Sequence, residues 1–237
     1  MYTPLVIFDL GGTLVSGPAQ GPADEMASRL GLSRAHKRDL FAALMATPFA
    51  APSEVAGFLD NLAGRRSQVT EDVVAEVWAR QTEVAEPIRE ARSILESLQS
   101  HRLRFAVISN IWPPFLQSVR VHFGDFLDEC VDPDLQLFSF RVGFPKPSTV
   151  MFRQALEIAG TKPAESVMIG DSYVDDMAPS AELGIRTIWL LHRPHREVES
   201  LAAVINGDRP RPSQTLVSID ELDAGLIEAV LAGQSHR

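Results

Sequence analysis

Four short apolar segments, each followed by a polar residue or glycine, constrain the fold of this chain more than any other feature of the sequence. The segments are residues 5–8 before Asp9, 105–108 before Ser109, 167–169 before Gly170, and 187–191 before His192. Apolar runs of this length, rich in valine, isoleucine and phenylalanine, are typical of buried strands. The sequence therefore predicts four core strands, each of which ends in a loop.

Helical patterns between these strands indicate how the strands are arranged. Apolar residues recur with a helical period over residues 87–98 and 150–158. Alternating strands and helices predict βαβ units with right-handed crossovers, and hence an α/β fold built on a parallel sheet. Ligands of such sheets bind beyond the carboxyl ends of the strands. We therefore expect Asp9, Ser109 and Asp171 to meet at one edge of the sheet.

The stretch from residue 16 to residue 86 interrupts this alternation, because it contains helical patterns and no convincing strand. The predicted helices of this stretch are residues 24–30, 34–45, 53–62 and 71–82. We interpret residues 16–86 as an inserted all-helical cap domain, and residues 1–15 and 87–237 as the core. The core closes with a predicted strand at 215–217 and a helix at 220–231. Because the insertion directly follows the first strand, it is expected above the ligand-binding edge, where it can act as a lid.

Charge and cysteine content exclude several classes of function. The 237 residues include 22 basic and 31 acidic side chains, and the resulting net charge of −9 repels nucleic-acid phosphates. Cys130 is the one cysteine, so no internal disulfide can form. No apolar run approaches the ~20 residues of a membrane-spanning helix. We predict a cytoplasmic protein that binds neither nucleic acid nor membranes, and the sequence does not indicate its oligomeric state.

The aspartates at the predicted edge have both a chemical and a structural interpretation. Asp9 opens a glycine-rich turn, where an ionised carboxylate can attack phosphorus, but aspartate is also a common turn residue. Asp171, Asp175 and Asp176 crowd one strand-to-helix loop. A cation such as Mg²⁺ relieves their mutual repulsion, although acidic residues also stabilise a helix N-terminus. The helix explains Asp171 less well than the other two.

A lysine and a hydroxyl residue lie near the same predicted edge. Lys146 lies between two prolines, where its ammonium can balance phosphate and carboxylate charge, although most lone lysines are simply solvated. Ser109-Asn110 opens the next predicted helix, where a hydroxyl and free amides can hold phosphate oxygens or form an ordinary helix cap. Taken singly, each residue favours the structural interpretation. Their order along successive elements favours a catalytic site.

This combination resembles the haloacid dehalogenase superfamily of hydrolases over essentially the whole chain. The first family motif, D-x-D-x-T, appears as Asp9-Leu10-Gly11-Gly12-Thr13. The second motif is Ser109, the third is Lys146, and the fourth is the segment 170–176. The resemblance implies a Rossmann-like doubly wound parallel sheet, a helical cap that supplies substrate specificity, and a phosphatase-type hydrolase.

The resemblance also implies a role for each motif residue. Asp9 is the implied nucleophile, Lys146 the group that stabilises the phosphoaspartate, and a small phosphorylated metabolite the substrate. The resemblance implies that Mg²⁺ is held by Asp9, the Gly11 carbonyl and Asp171. It implies that the phosphoryl group is bound by Ser109, Asn110 and Lys146. Asp175 and Asp176 are implied to support the metal site or Lys146 without binding the substrate.

One position departs from the family pattern. Phosphatases of the family usually carry a second aspartate two residues after the nucleophile, where this chain has Gly11. That aspartate acts as a general acid towards the leaving alkoxide, a contribution typically worth about 10²–10⁴-fold. We therefore expect slow turnover of ordinary sugar phosphates, whereas a carboxylate or phenolate leaving group needs no protonation.

Two other functions stay open. A 2-haloacid dehalogenase would use Asp9 to attack carbon without a metal. The acids at Asp171 and Asp176 argue against it, as does Gly11, where family dehalogenases generally place an aromatic residue. A phosphate-binding or protein-interaction module without useful turnover is supported by Gly11 alone.

Overall fold

The structure is a computed structural model that describes residues 3–64 and 66–233. Its strands are β1 (Leu5–Phe8), β2 (Val15–Ser16), β3 (Glu86–Pro87), β4 (Arg104–Ser109), β5 (Val131–Phe138), β6 (Ser166–Gly170), β7 (Arg186–Leu190) and β8 (Gln214–Leu216). Its α-helices are α1 (Pro22–Leu30), α2 (Arg34–Ala46), α3 (Pro52–Ala63), α4 (Gln68–Gln81), α5 (Ala91–Gln99), α6 (Pro113–Glu129), α7 (Ser139–Val142), α8 (Val150–Ala159), α9 (Ala178–Leu183), α10 (Val198–Asn206) and α11 (Ala224–Leu231). None of the helices described is long and apolar enough to cross a membrane.

Six strands form one parallel sheet with the order β5-β4-β1-β6-β7-β8. Counted within this sheet, the order is the 3-2-1-4-5-6 arrangement of a Rossmann-like doubly wound fold, which confirms the predicted fold class. Strand β1 lies at the centre and is fully buried, which explains its continuous apolar sequence. The strand order reverses between β1 and β6, so the residues after these strands border the crevice where ligands bind.

The predicted core strands are confirmed to within one residue at each end, but four predicted helix starts are wrong. Helix α4 begins at Gln68, three residues before the predicted start, and the other three helices begin later than predicted. Helix α5 begins at Ala91 rather than at residue 87, because Glu90 has a left-handed backbone with φ of 66° that cannot continue a helix. Helix α11 begins at Ala224 rather than at residue 220, since a 3₁₀ turn and an extended residue precede it. The helix expected at Ser109-Asn110 begins only at Pro113.

The cap consists of helices α1–α4, which lie between β2 and β3 along the chain. These helices share their own apolar cluster, which includes Met26, Leu40 and Val74 and also Trp112 from the core segment. Strands β2 and β3 pair in antiparallel fashion, so the chain leaves the core and returns to it at adjacent positions. An inserted all-helical cap is therefore confirmed, while its predicted limits at residues 16 and 86 stay a prediction.

Candidate active site

A buried lysine joins two aspartates at the centre of the site. Lys146 comes from the segment between α7 and α8, Asp9 follows β1, and Asp176 lies on a single π-helical turn (Tyr173–Met177) after β6. The Lys146 Nζ atom donates to Asp9 Oδ1 at 2.8 Å, to Asp176 Oδ1 at 2.6 Å and to the Ile108 carbonyl at 3.3 Å. The three side chains are only 1–6% exposed. The sheet therefore brings together three charged groups that are far apart in sequence.

These charges stabilise one another against the cost of burial. Burial alone would lower the pKa of Lys146, but the negative charges and hydrogen bonds of Asp176 and Asp9 outweigh it and raise that pKa. Burial raises the pKa of Asp176, and the Lys146 ammonium opposes this effect. Lys146 is therefore a fixed cation beside the Asp9 carboxylate.

Gly170 allows Asp176 to reach this position. A Cβ atom at residue 170 would overlap the Asp176 carboxylate and would lie 2.8 Å from the Asp176 Cβ. The backbone N–H of Ser172 donates to Asp176 Oδ2 at 3.0 Å, which fixes the orientation of the carboxylate. The glycine of the fourth motif is thus explained by the close approach of an acidic side chain to the strand end.

Asp171 lies beside this group and pairs with Arg193 from the loop after β7. Burial and the nearby Asp9 raise the pKa of Asp171 to about 6, although Arg193 lowers it. Gly12 faces the same pair, with a positive φ of 88°, and a Cβ atom there would lie 2.6 Å from Asp171 Oδ1 and would overlap Arg193. Only glycine fits this turn without displacing the pair.

The remaining predicted site residues lie around this cluster. Ser109 is buried at the end of β4. The Asn110 side chain is already engaged, because its Nδ2 donates to the Lys146 carbonyl at 2.9 Å and its Oδ1 accepts from the Lys146 N–H at 2.7 Å. Asp175 is half-buried, its pKa is raised by burial, and its backbone N–H donates to Ser172 Oγ. Their predicted roles stay predictions, and Asn110 visibly holds the Lys146 backbone.

The acidic residues provide a donor set that fits a divalent cation. Asp9, Asp171 and Asp176 each offer one carboxylate oxygen, and these oxygens lie within 4.8 Å of one another. Within residues 3–64 and 66–233, no hydrogen bond occupies Asp9 Oδ2 or Asp171 Oδ1. Among the described residues, these three carboxylates pair with two cations, Lys146 and Arg193. Carboxylate oxygens are the ligands that Mg²⁺ prefers, so the site suits this ion.

The sequence does not reveal two further residues of the site, Arg193 and Trp112. The pairing of Arg193 with Asp171 depends on how the loop after β7 folds back. Trp112 lies between β4 and α6. Its indole Nε1 donates to Gln81 Oε1 at 3.2 Å, and this hydrogen bond connects the core segment to cap helix α4.

A cavity of about 320 Å³ lies between the cap and the core, next to Gly11. Gly11 is exposed. Apolar side chains supply much of the cavity wall, while the basic residues come from the loop after β7. Its wall includes Phe41, Met45 and Gln81 from the cap, and Trp112, Phe115 and Arg196 from the core. Cavities of this size commonly bind small molecules.

Comparisons with known proteins agree with this architecture. The chain matches the family model described as haloacid dehalogenase-like hydrolase over residues 3–184. It is 33% identical over 130 residues to the glyceraldehyde 3-phosphate phosphatase of Methanothermobacter thermautotrophicus, an alignment that covers 52% of this chain and 55% of that protein. It is 29% identical over 142 residues to the pyrimidine 5′-nucleotidase YjjG of Escherichia coli, covering 60% and 57%. The chain thus spans just over half the length of these two relatives.

Solved structures show the same fold over more of the chain. A 2-haloacid dehalogenase from Pseudomonas syringae has a TM-score of 0.61 and 19% identity, with 98% of this chain and 99% of that chain covered. A family enzyme from Bacteroides thetaiotaomicron in complex with magnesium and inorganic phosphate has a TM-score of 0.61 and 17% identity, covering 80% and 94%. At these identities the likeness shows the fold alone.

Proposed function

The chain belongs to the haloacid dehalogenase-like hydrolases, and on that premise we propose that it is a Mg²⁺-dependent phosphohydrolase that acts on a small phosphorylated metabolite through an aspartyl-phosphate intermediate. The observation that carries the proposal is the Asp9 carboxylate, which Lys146 holds through one oxygen while the other accepts no hydrogen bond among the described residues. The names of the phosphatase and the nucleotidase among the relatives support the same reaction class.

In this mechanism Asp9 is the nucleophile. The Asp9 carboxylate attacks phosphorus while the bond between phosphorus and the leaving oxygen breaks, and water then hydrolyses the aspartyl phosphate to release inorganic phosphate. The Lys146 ammonium balances the negative charge of the carboxylate and of the phosphoryl group. Asp176 orients Lys146 through their 2.6 Å hydrogen bond. The Ser109 hydroxyl and the Asn110 backbone bind phosphoryl oxygens, while the Asn110 carboxamide keeps Lys146 in place. Asp175 supports the loop beside the acidic cluster.

The metal would be held by the Asp9 carboxylate, the Gly11 carbonyl and the Asp171 carboxylate. A bound Mg²⁺ supplies positive charge that stabilises phosphoryl oxygens. Gly11 contributes no side chain, so this position provides no general acid, and turnover of substrates with poor leaving groups is slow.

The cap, with proposed limits at residues 16 and 86, determines which substrate reaches Asp9. Two observations support this role. The pairing of β2 with β3 places both connections to the core side by side, and cap helix α2 contributes Phe41 and Met45 to the wall of the cavity. A cytoplasmic location and the lack of nucleic-acid and membrane partners stay predictions.

The Asp9→Asn variant tests the proposal. With 4-nitrophenyl phosphate and Mg²⁺, we expect the native chain to release 4-nitrophenol slowly and Asp9→Asn to be at least about 10³-fold slower, since the nucleophile is lost. The matched control is Asp60→Asn, which changes a buried aspartate of cap helix α3 outside the site. We expect this control to retain the native rate.

Chelation and alternative substrates decide between this function and the other two. Full activity in excess EDTA would contradict a metal-assisted reaction. Chloride release from 2-haloacids, without phosphate release, would indicate a dehalogenase. If neither substrate turns over but Mg²⁺ with beryllium fluoride raises the melting temperature, the chain is a phosphate-binding module.

A further inference from the structure

We propose that the substrate is an aryl phosphate, a phosphate monoester of a phenol, whose ring lies in the cavity between the cap and the core. This inference rests on the proposed phosphohydrolase function and adds the chemical nature of the leaving group. Two independent observations point to it: the apolar rings of the cavity wall, and the absence of a proton-donating side chain at Gly11, which lines the same cavity.

The first observation concerns the rings. Phe41 on α2 lines the cavity and is 53% exposed, which is unusual for a phenylalanine. Phe115 on α6 lines the same cavity and is half-buried. Neither ring makes an aromatic contact with another ring within residues 3–64 and 66–233. These rings therefore offer an apolar surface on which an aromatic ligand can stack.

Some polar atoms of the same wall are engaged within the protein, whereas Gln81 Nε2 and Arg193 Nε have no hydrogen-bond partner among the described residues. Gln81 Oε1 accepts from Trp112, the Asn110 carboxamide is bound to the Lys146 backbone, and Arg193 pairs with Asp171. The rings of Phe41 and Phe115, rather than these polar atoms, are the part of the wall that an aromatic leaving group would contact.

The second observation concerns the proton that an alkoxide leaving group would need. Gly11 lines the cavity, and the space where its side chain would stand contains no atom within 4 Å. The Lys146 ammonium is committed to Asp9 and Asp176, and arginine does not release a proton at neutral pH. Among the described residues of the cavity wall, Asp175 is the one carboxyl group. The site thus suits a leaving oxygen that departs as an anion.

A phenolate departs in this way. Asp9 forms a bond to phosphorus, and the bond between phosphorus and the aryl oxygen breaks with its electron pair on that oxygen, so no proton is required. Water then attacks the phosphorus of the aspartyl phosphate, the bond to Asp9 breaks, and the proton of the attacking water passes to solvent. The products are a phenolate, inorganic phosphate and the regenerated Asp9 carboxylate.

Four substrates test the contribution of the aromatic ring separately from that of the leaving group. Phenyl phosphate has a ring and a phenolate leaving group, whereas benzyl phosphate has the ring and an alkoxide. Acetyl phosphate has a good leaving group without a ring, and ethyl phosphate has neither. We expect kcat/KM with Mg²⁺ to be highest for phenyl phosphate, lower for acetyl phosphate, and at least about 10²-fold lower for benzyl than for phenyl phosphate.

Two variants test these contributions one at a time: the first adds a carboxyl group at position 11, and the second removes a ring from the cavity wall. Gly11→Asp should raise kcat/KM for benzyl phosphate by about 10²–10⁴-fold and for phenyl phosphate by less than about tenfold. Gly57→Asp is its control, since Gly57 lies on α3 with no atom near its missing Cβ. Phe41→Ala should lower kcat/KM about tenfold for both ring substrates and by a smaller factor for acetyl phosphate. Ile205→Ala, which also removes an exposed apolar side chain, is the control for Phe41→Ala.

The outcomes distinguish this inference from the function on which it rests. If none of the four substrates releases phosphate, the phosphohydrolase function itself fails. If benzyl or ethyl phosphate matches phenyl phosphate, phosphoryl transfer stands and the aryl phosphate inference is overturned. If Asp175→Asn abolishes efficient benzyl phosphate turnover, Asp175 supplies the proton and the inference is again overturned.

Discussion

Two lysine–aspartate pairs of the same length show how differently the core and the cap use charge. Lys146 and Asp9 in the core, like Lys37 and Asp24 in the cap, lie 2.8 Å apart. The core side chains are 3% and 6% exposed, whereas those of the cap pair are 45% and 55% exposed. Water and ions screen the cap pair, so its charges are almost independent of each other. In the core, water does not solvate the two charges, so each is stabilised by its partner.

This difference has a functional consequence. A buried cation can hold a carboxylate in one orientation, which a screened surface pair does only weakly. The core therefore supplies a carboxylate of fixed orientation, as the proposed role of Asp9 requires. The cap presents apolar side chains such as Phe41 and Met45 to the cavity, and its Lys37–Asp24 pair lies exposed to solvent.

The largest difference in stability between core and cap is expected when Lys146 and Lys37 are replaced by methionine in separate variants. Lys146→Met leaves Asp9 and Asp176 buried without their cation, and should lower the free energy of unfolding by about 3–5 kcal/mol. Lys37→Met breaks an exposed pair and should change it by less than about 1 kcal/mol. Urea unfolding of both variants measures the difference.

A second substitution tests whether unpaired charge causes this loss. Adding Asp176→Asn to Lys146→Met removes one of the two uncompensated carboxylates, so we expect part of the stability to return. Equal losses for Lys146→Met and Lys37→Met would show that burial does not separate the two pairs.

Two glycines with positive φ provide the next test. Gly12 in the core has φ of 88° and Gly31 in the cap has φ of 62°. Alanine strains either backbone by about 1–2 kcal/mol. At Gly12 the added Cβ also meets Asp171 and Arg193, whereas at Gly31 it meets no atom within 4 Å. We therefore expect Gly12→Ala to cost about 1–3 kcal/mol more than Gly31→Ala in thermal unfolding.

The smallest loss of stability is expected for substitutions of the two tryptophans where the core and the cap meet. Trp112→Phe removes the indole N–H that Gln81 accepts and leaves a buried acceptor without its donor, at a cost of about 1–3 kcal/mol. Trp78 contacts the Trp112 ring edge-on at 5.4 Å, but its own indole makes no hydrogen bond within the described residues. Trp78→Phe should therefore be milder, as measured by melting temperature. A larger loss for Trp78→Phe would contradict a polar connection between cap and core.

The sequence predicts the buried central strands well, because a strand covered on both faces needs an unbroken apolar run. Strand β5 was not predicted, since Asp132-Pro133-Asp134 interrupts its apolar pattern. It lies at an edge of the sheet, where a missing N–H is tolerated, and its pairing with β4 shifts register. Strands β2 and β3 have two residues each and leave no periodic pattern.

The acidic and basic groups at strand ends were predictable because parallel strands deliver their carboxyl ends to one edge. Which group contacts which was not predictable, because long side chains and loops decide it. Arg193 reaches Asp171 only because the loop after β7 turns back. The Asn110 carboxamide binds the Lys146 backbone, and no spacing along the chain encodes a contact across 36 residues.

The narrow pairing of β2 with β3 has a consequence for how this chain can be modified. Val15 lies opposite Pro87 and Ser16 opposite Glu86, so a tight turn placed after Ser16 would rejoin the two ends without stretching either one. The connectivity of the sheet would therefore survive exchange of the whole four-helix unit, provided that the replacement again covers Trp112, which packs into the apolar cluster of the cap.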